Sequence, residues 1–272
     1  MTEEEYFALP ALSASGIKTY AIGGAYEFWK TSPFNPDKKP DSVSDALVFG
    51  KLAHCMLFEP NEVGNRFVVE NWGTKTRNSK KYEQASDANK GKTVISQDEY
   101  DRAGKMLACL RSHRIARDIL QDAYCEQPIV WTDKQTGLQM KSKIDAFKMT
   151  KYGLVIIDYK TSSDIESVLR RAEKLQYPVQ DAVYCDAVKQ KYGHEPVEFV
   201  FIIQSSKEGE EDKVCVANVN PESRQYAQLV YETAKDEIAQ KLKLWQETKD
   251  PNIWSAYPDR MMIGYSNYYL ST

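Results

Sequence analysis

The run Leu154-Val-Ile-Ile-Asp-Tyr-Lys-Thr161 constrains the fold of this chain more than any other segment. Four consecutive apolar residues, two of them isoleucine, read as a buried strand. The strand then ends in a carboxylate, Asp158, with Lys160 two residues on. Side chains alternate along a strand, so these two charges emerge on the same side. Two charges leaving a buried edge together are costly unless they are paired or hold something. A divalent metal and a phosphate would suit both.

The rest of the chain fits an ordinary globular protein. Of its 272 residues 42% are hydrophobic and 28% charged, with a formal net charge of −3. That charge gives no general attraction to nucleic acid, so a DNA-binding surface would have to be a local patch. No apolar run approaches the length of a membrane span. The acidic opening Met1-Thr-Glu-Glu-Glu-Tyr6 is the reverse of a leader, which leads to the expectation of a cytoplasmic protein. Cys55, Cys109, Cys125, Cys185 and Cys215 are scattered, with no Cys-x-x-Cys pair, and are expected to be reduced thiols and no zinc site.

Along the chain, Ser13 or Ser15 caps a helix expected to reach about Trp29. A Pro-rich loop follows over 31–44, then a buried helix over 46–58 with His54 inside it. Residues 72–93, with Lys75, Arg77, Lys80, Lys81, Lys90 and Lys92, read as a basic low-order loop. Ser96-Gln-Asp-Glu99 is a capping box opening a helix expected to run to about Leu120. Strands over about 126–131, 138–147 and 154–159 form an antiparallel meander, with a turn at Asp133-Lys-Gln-Thr-Gly137. Two helices, about 165–174 and 176–191, two more strands, about 197–204 and 213–219, and a long amphipathic helix from Pro221 complete the pattern. An aromatic tail follows Asp250. The order α–α–α–βββ–αα–ββ–α predicts one α/β domain with a mixed sheet.

Asp-x-Lys alone carries little, since a chain this long contains about one by chance; Asp37-Lys-Lys39 is another. Context lifts Asp158 and Lys160. Antiparallel pairing brings Asp145 of the neighbouring strand beside Asp158, and two carboxylates in contact repel unless a cation lies between them. Hard oxygen ligands favour magnesium or manganese, which lower the pKa of a bound water and neutralise charge on phosphorus. Glu126 and His54 are further candidates for the metal shell; a histidine makes manganese at least as suitable as magnesium. Taken singly, His54 would be a core histidine, Asp145 a partner of Lys141 or Lys143, and Asp158 a cap for the segment after it. Their joint occurrence carries the reading.

Phe49-Gly-Lys-Leu-Ala-His54, Glu126, Lys143-Ile-Asp145, Asp158-Tyr-Lys160 and Gln180-Asp-Ala-Val-Tyr184 occur in the order found in the RecB-like branch of the PD-(D/E)XK nucleases. The chain most resembles the exonuclease VIII (RecE) nuclease domain and its phage relatives, including the opening Leu12-Ser-Ala-Ser15. The resemblance implies a restriction-endonuclease-like core in a single nuclease domain spanning residues 1–272: a helical part over about 9–120, a catalytic core over about 121–220, and a C-terminal helix and tail. It implies His54, Asp145, Asp158 and the Tyr159 carbonyl as metal ligands, Lys160 as the catalytic lysine, and Glu126 as a further member of the site. Gln180 and Tyr184 would face the DNA end, and Lys75, Arg77, Lys80 and Lys81 offer a basic patch for phosphates. The implied activity is Mg2+- or Mn2+-dependent resection of duplex DNA ends, 5′ to 3′, yielding 5′-phosphates and a 3′ strand. The implied partners are a RecT-like single-strand annealing protein and further copies of the chain in a ring such as a tetramer, with no membrane. A phage or prophage origin follows from the same resemblance. A Cas4-like or endonucleolytic enzyme on the same fold, and a non-catalytic DNA-binding module, are the competing readings.

Overall fold

The computed structural model describes residues 3–39, 44–73, 77 and 79–255. Lys75 and the tail tyrosines 257, 265, 268 and 269 lie outside those residues. The elements in chain order are α1 (Glu3–Ala8), β1 (Leu12–Ser13), α2 (Ala14–Thr31), α3 (Asp45–Phe58), α4 (Val63–Arg66), β2 (Phe67–Val69), α5 (Lys80–Ala88), β3 (Thr93–Ile95), α6 (Gln97–Ser112) and α7 (Arg114–Leu120). Then come β4 (Tyr124–Thr132), β5 (Gln139–Thr150), β6 (Gly153–Ser162), α8 (Ile165–Arg171), α9 (Tyr177–Tyr192), β7 (Glu198–Ser205), β8 (Val214–Ala217) and α10 (Pro221–Thr248).

β4, β5 and β6 form the expected antiparallel meander. β7 joins β6 in parallel and β8 closes the far edge antiparallel, so the sheet is mixed. β6 is buried on both faces because helices cover the sheet on each side. Leu154 and Ile156 belong to a core with Ile17 and Phe28 of α2, Val183 of α9 and Ile238 of α10. Val155, Ile157 and Tyr159 point the other way, into a core with Leu52 and Phe58 of α3 and Met106 and Leu110 of α6. Hence the unbroken apolar run.

Two expectations are corrected. Residues 72–93 are not all loop: Ser79 caps α5, its Oγ accepting the Tyr82 N–H at 3.2 Å. β2 and β3 flank this segment as a short parallel pair whose stability comes from burial of Phe67, Val94 and Ile95, a tertiary effect with no local signal. The capping box at Ser96 and Glu99 is present, but its helix stops at Ser112. His113 leaves the helical region (φ −75°, ψ 108°) and its Nδ1 accepts the Ala116 N–H, so one residue ends α6 and caps α7.

The register decides where the site falls. The β4–β5 register, paired at Cys125–Ala146 and Gln127–Ile144, places Glu126 opposite Asp145 between them, and extending that of β5–β6 by one position places Asp145 opposite Asp158. Neither pair is bridged. β5 and β6 separate beyond Ala146 and Ile157, and β1 takes up the vacated edge of β5 at Met140 and Lys141. Glu126 has a left-handed backbone (φ +52°) in the middle of a strand. The side-chain alternation changes phase there: Ile144 and Phe147 face the same core although three residues apart. The acidic row thus lies where the sheet forks.

Candidate active site

Asp145 occupies the fork. Its Oδ2 accepts the Tyr159 N–H at 2.9 Å, the group that would otherwise continue the ladder to β5. Tyr159 is fixed from three directions, because its hydroxyl donates to Gln204 Oε1 at 2.7 Å and its carbonyl lies 2.7 Å from His54 Nε2. A carbonyl can only accept, so the proton of a neutral His54 sits on Nε2 and its Nδ1 presents a lone pair. That lone pair lies 3.7 Å from Asp145 Oδ2. α3 can bring His54 this close because Gly50 lies one turn earlier: a Cβ there would stand 3.3 Å from Thr161 Oγ1 at the end of β6.

One ligand atom each from His54, Glu126 and Asp145 lies within 4.8 Å of the others. Burial, then Lys160, lowers the His54 pKa and keeps the ring neutral. Burial, then the neighbouring Asp158, raises the Asp145 carboxyl to about 7. Burial raises Glu126 although Lys143 Nζ lies 2.6 Å from its Oε2 and opposes the rise. Three acceptor groups converge where burial and mutual repulsion make the charged carboxylates costly, the condition a divalent cation relieves. The donor set therefore fits magnesium or manganese, and His54, Glu126 and Asp145 are the residues that would hold it.

Asp158 lies beside this group and is fully buried. Its Oδ1 accepts from Gln180 Nε2 at 2.5 Å. Its Oδ2 forms an ion pair with the Lys160 ammonium, so both carboxylate oxygens are held by partners inside the protein. Burial would lower the Lys160 pKa, but Asp158 and Asp145 outweigh it and hold the ammonium above its usual value. Lys160 is thus a permanent cation here, a donor and not a base. His54, Glu126, Asp145 and Lys160 line a cavity of about 690 Å³ that also receives Lys51, Lys143 and Phe7, with Asp158 buried behind them.

A family model for a PDDEXK-like domain of unknown function (DUF3799) matches residues 17–255. The chain belongs to this family. The core is accordingly the PD-(D/E)XK fold that the motif order implied. A crystal structure of a candidate exonuclease from Eubacterium rectale has a TM-score of 0.59 at 15% identity, covering 90% of this chain and 86% of that one. At that identity the likeness extends to the fold. The structure of SSO0001, at a TM-score of 0.32 and 12% identity, covers 67% of this chain and 73% of that one and carries no weight. No curated protein matches the chain.

In this PDDEXK-like domain the residues expected to face DNA are distributed unevenly. Gln180 is buried, and both ends of its amide are engaged inside the protein: Nε2 on Asp158, Oε1 accepting from Lys18 Nζ at 3.3 Å. It positions Asp158. Tyr184 stands beside Ser142 and Lys143 in an adjoining cavity, and burial followed by Asp158 pushes its hydroxyl well above the usual range. Arg77 is occupied by Asp45 at 2.7 Å and by both oxygens of Glu99 at 2.8 and 2.9 Å, with its side chain 10% exposed. It ties α3 to α6 and is not part of an open basic patch. Lys80 and Lys81 are exposed on the first turn of α5 and do not line the cavity.

Lys18 escaped the sequence reading. It lies on α2, more than a hundred residues before the acidic row, and nothing in Gly16-Ile-Lys-Thr distinguishes it. Burial, with Lys160 adding to it, lowers its ammonium to about 8. Tyr177, between the two ammonium groups, has Lys18 and Lys160 at 5.7 and 5.9 Å from its ring centre. Among the described residues no helix is long and apolar enough to cross a membrane.

Proposed function

We propose that this protein is a metal-dependent exodeoxyribonuclease that resects linear duplex DNA from 5′ to 3′, yielding 5′-phosphates and a 3′ strand for annealing. The observation that carries the reading is the row Glu126–Asp145–Asp158 across three strands, with His54 closing it from α3 and Lys160 at its end. A bound Mg2+ or Mn2+ supplies an activated water and neutralises charge on the phosphate. The chain does the rest. Lys160, kept protonated by Asp158 and Asp145, donates to the phosphate or orients the water. Gln180 holds Asp158 in place, and the Tyr159 carbonyl fixes the tautomer that leaves His54 Nδ1 unprotonated. Lys18, Lys51 and Lys143 supply the local positive charge that an acidic protein needs for phosphate. Oligomerisation into a ring, delivery to a RecT-like annealing protein, a cytoplasmic setting and a phage or prophage origin belong to the same proposal and rest on the family resemblance.

The test is incubation of 5′- and 3′-end-labelled linear duplex with Mn2+, Mg2+ or chelator, beside a covalently closed circle. The expected result is metal-dependent release of 5′-labelled mononucleotide, an intact circle, and loss of at least about a hundredfold in rate for Lys160→Ala. Cutting of the circle would replace the exonuclease by an endonuclease. Absence of metal-stimulated cleavage on any substrate would leave a binding module.

A further inference from the structure

Phe7 is the anomaly in the walls of the site. It is 63% exposed, yet it lines both the cavity of the acidic row and the adjoining cavity that holds Tyr184. It is also held firmly. Lys141, only 6% exposed, donates its ammonium to the carbonyls of Tyr6, Phe7 and Leu9 at 2.9, 3.4 and 2.8 Å. These are carbonyls at the C-terminal end of α1, where a cation is stabilising. Lys141 also lies 5.1 Å from the centre of the buried Tyr6 ring. The Tyr6 ring in turn meets Phe7 edge-on, with centroids 5.4 Å apart and planes at 80°. A buried lysine on the same strand as Asp145 thus anchors a six-residue helix so that its exposed aromatic side chain stands at the mouth of the site.

We infer that Phe7 is a stacking platform for an unpaired base of the strand whose phosphate enters the acidic row. Every base has an apolar face, so a single ordered aromatic serves without regard to sequence. Its place on the rim between the two cavities suits the nucleotide next to the reacting phosphate. This rests on the nucleic-acid reading above, but it concerns a residue outside the metal-binding and charged set.

The probe is a short single-stranded oligonucleotide carrying 2-aminopurine at successive positions, bound to the full chain in Ca2+. Wild type should quench one position most strongly. Phe7→Ala should abolish quenching at that position and weaken binding about tenfold or more, and Phe7→Trp should restore both. Phe7 is mostly exposed, so the alanine variant is expected to keep the wild-type melting temperature. An unchanged quenching profile in Phe7→Ala would overturn the inference while leaving the nuclease reading intact if wild type still cleaves. Altered sedimentation of Phe7→Ala with unchanged quenching would make Phe7 a contact between chains and overturn it as well. A wild-type protein that neither binds the oligonucleotide nor cleaves DNA would remove the functional reading itself, and the inference with it.

Discussion

Lys18 is held at a cost to the fold, and replacing it with methionine should reveal that cost. Burial brings its pKa from 10.5 to about 8, with Lys160 pushing the same way and Asp158 opposing. In the unfolded chain a lysine titrates near 10.4. Between about pH 8 and 10.4 the unfolded chain therefore binds a proton that the folded one has released. Stability rises with pH across that window, and the penalty stands at full size below it. A shift of this magnitude corresponds to about 3 kcal/mol at pH 7. Lys18→Met keeps length and apolar stem but removes the charge. It also removes the 3.3 Å hydrogen bond to Gln180, which costs about 1 kcal/mol. The variant should then be about 2 kcal/mol more stable than wild type at pH 7, with a melting temperature about 5 °C higher. Urea unfolding of both proteins at pH 7 and pH 10 checks this. The advantage should shrink to about zero at pH 10, where wild-type Lys18 is neutral in the fold. A variant less stable at pH 7, or a difference that does not change with pH, would refute the reasoning. Duplex cleavage by the stabilised variant should be slower, because the lost charge lies beside Asp158 and Lys160.

Three further outcomes follow from the geometry. Asp145 titrates near 7 in the metal-free protein and must release its proton to bind a cation, so Mn2+ affinity should fall about tenfold from pH 8 to pH 6; calorimetry in buffers of different ionisation enthalpy should show proton release, and Asp145→Asn should remove both effects. Glu126→Gly relieves a left-handed backbone that costs about 1–3 kcal/mol in a non-glycine residue. It should unfold at no lower a urea concentration than wild type yet lose at least about tenfold in cleavage rate, and full activity would remove Glu126 from the site. Arg77→Met should lower stability by about 1–2 kcal/mol, because it removes two charge-assisted hydrogen bonds from the largely buried Glu99 carboxylate, whereas Asp45 returns to water. The salt dependence of its DNA binding, measured by fluorescence anisotropy, should match that of wild type, since Arg77 is not an open phosphate contact.

How much of this was legible in the chain depended on the range of the interaction involved. The Leu154–Ile157 run announced a buried strand, and Ser96 and Glu99 announced a helix start, because burial of a continuous run and capping are local rules. The meander followed from the Asp133–Gly137 turn and alternating strands, and its register alone brought Asp145 opposite Asp158. His54, Asp145, Asp158 and Lys160 were readable because three of them sit on two neighbouring strands, with Asp158 and Lys160 at alternating positions of one of them. The fork was not readable. Nothing in Cys125-Glu-Gln127 marks a left-handed residue, and only the three-dimensional departure of β6 from β5, with β1 filling the gap, turns an acidic row into a pocket. Gln180 looked like a residue facing DNA, and burial makes it the bridge between Lys18 and Asp158. Arg77 looked free, and two carboxylates distant in sequence claim it. The sequence by itself determined which residue types could do metal-assisted phosphate chemistry and on which strands they lie. Tertiary structure decided which of their charges remain open to a ligand, because that depends on desolvation and on partners contributed by elements far away in the chain.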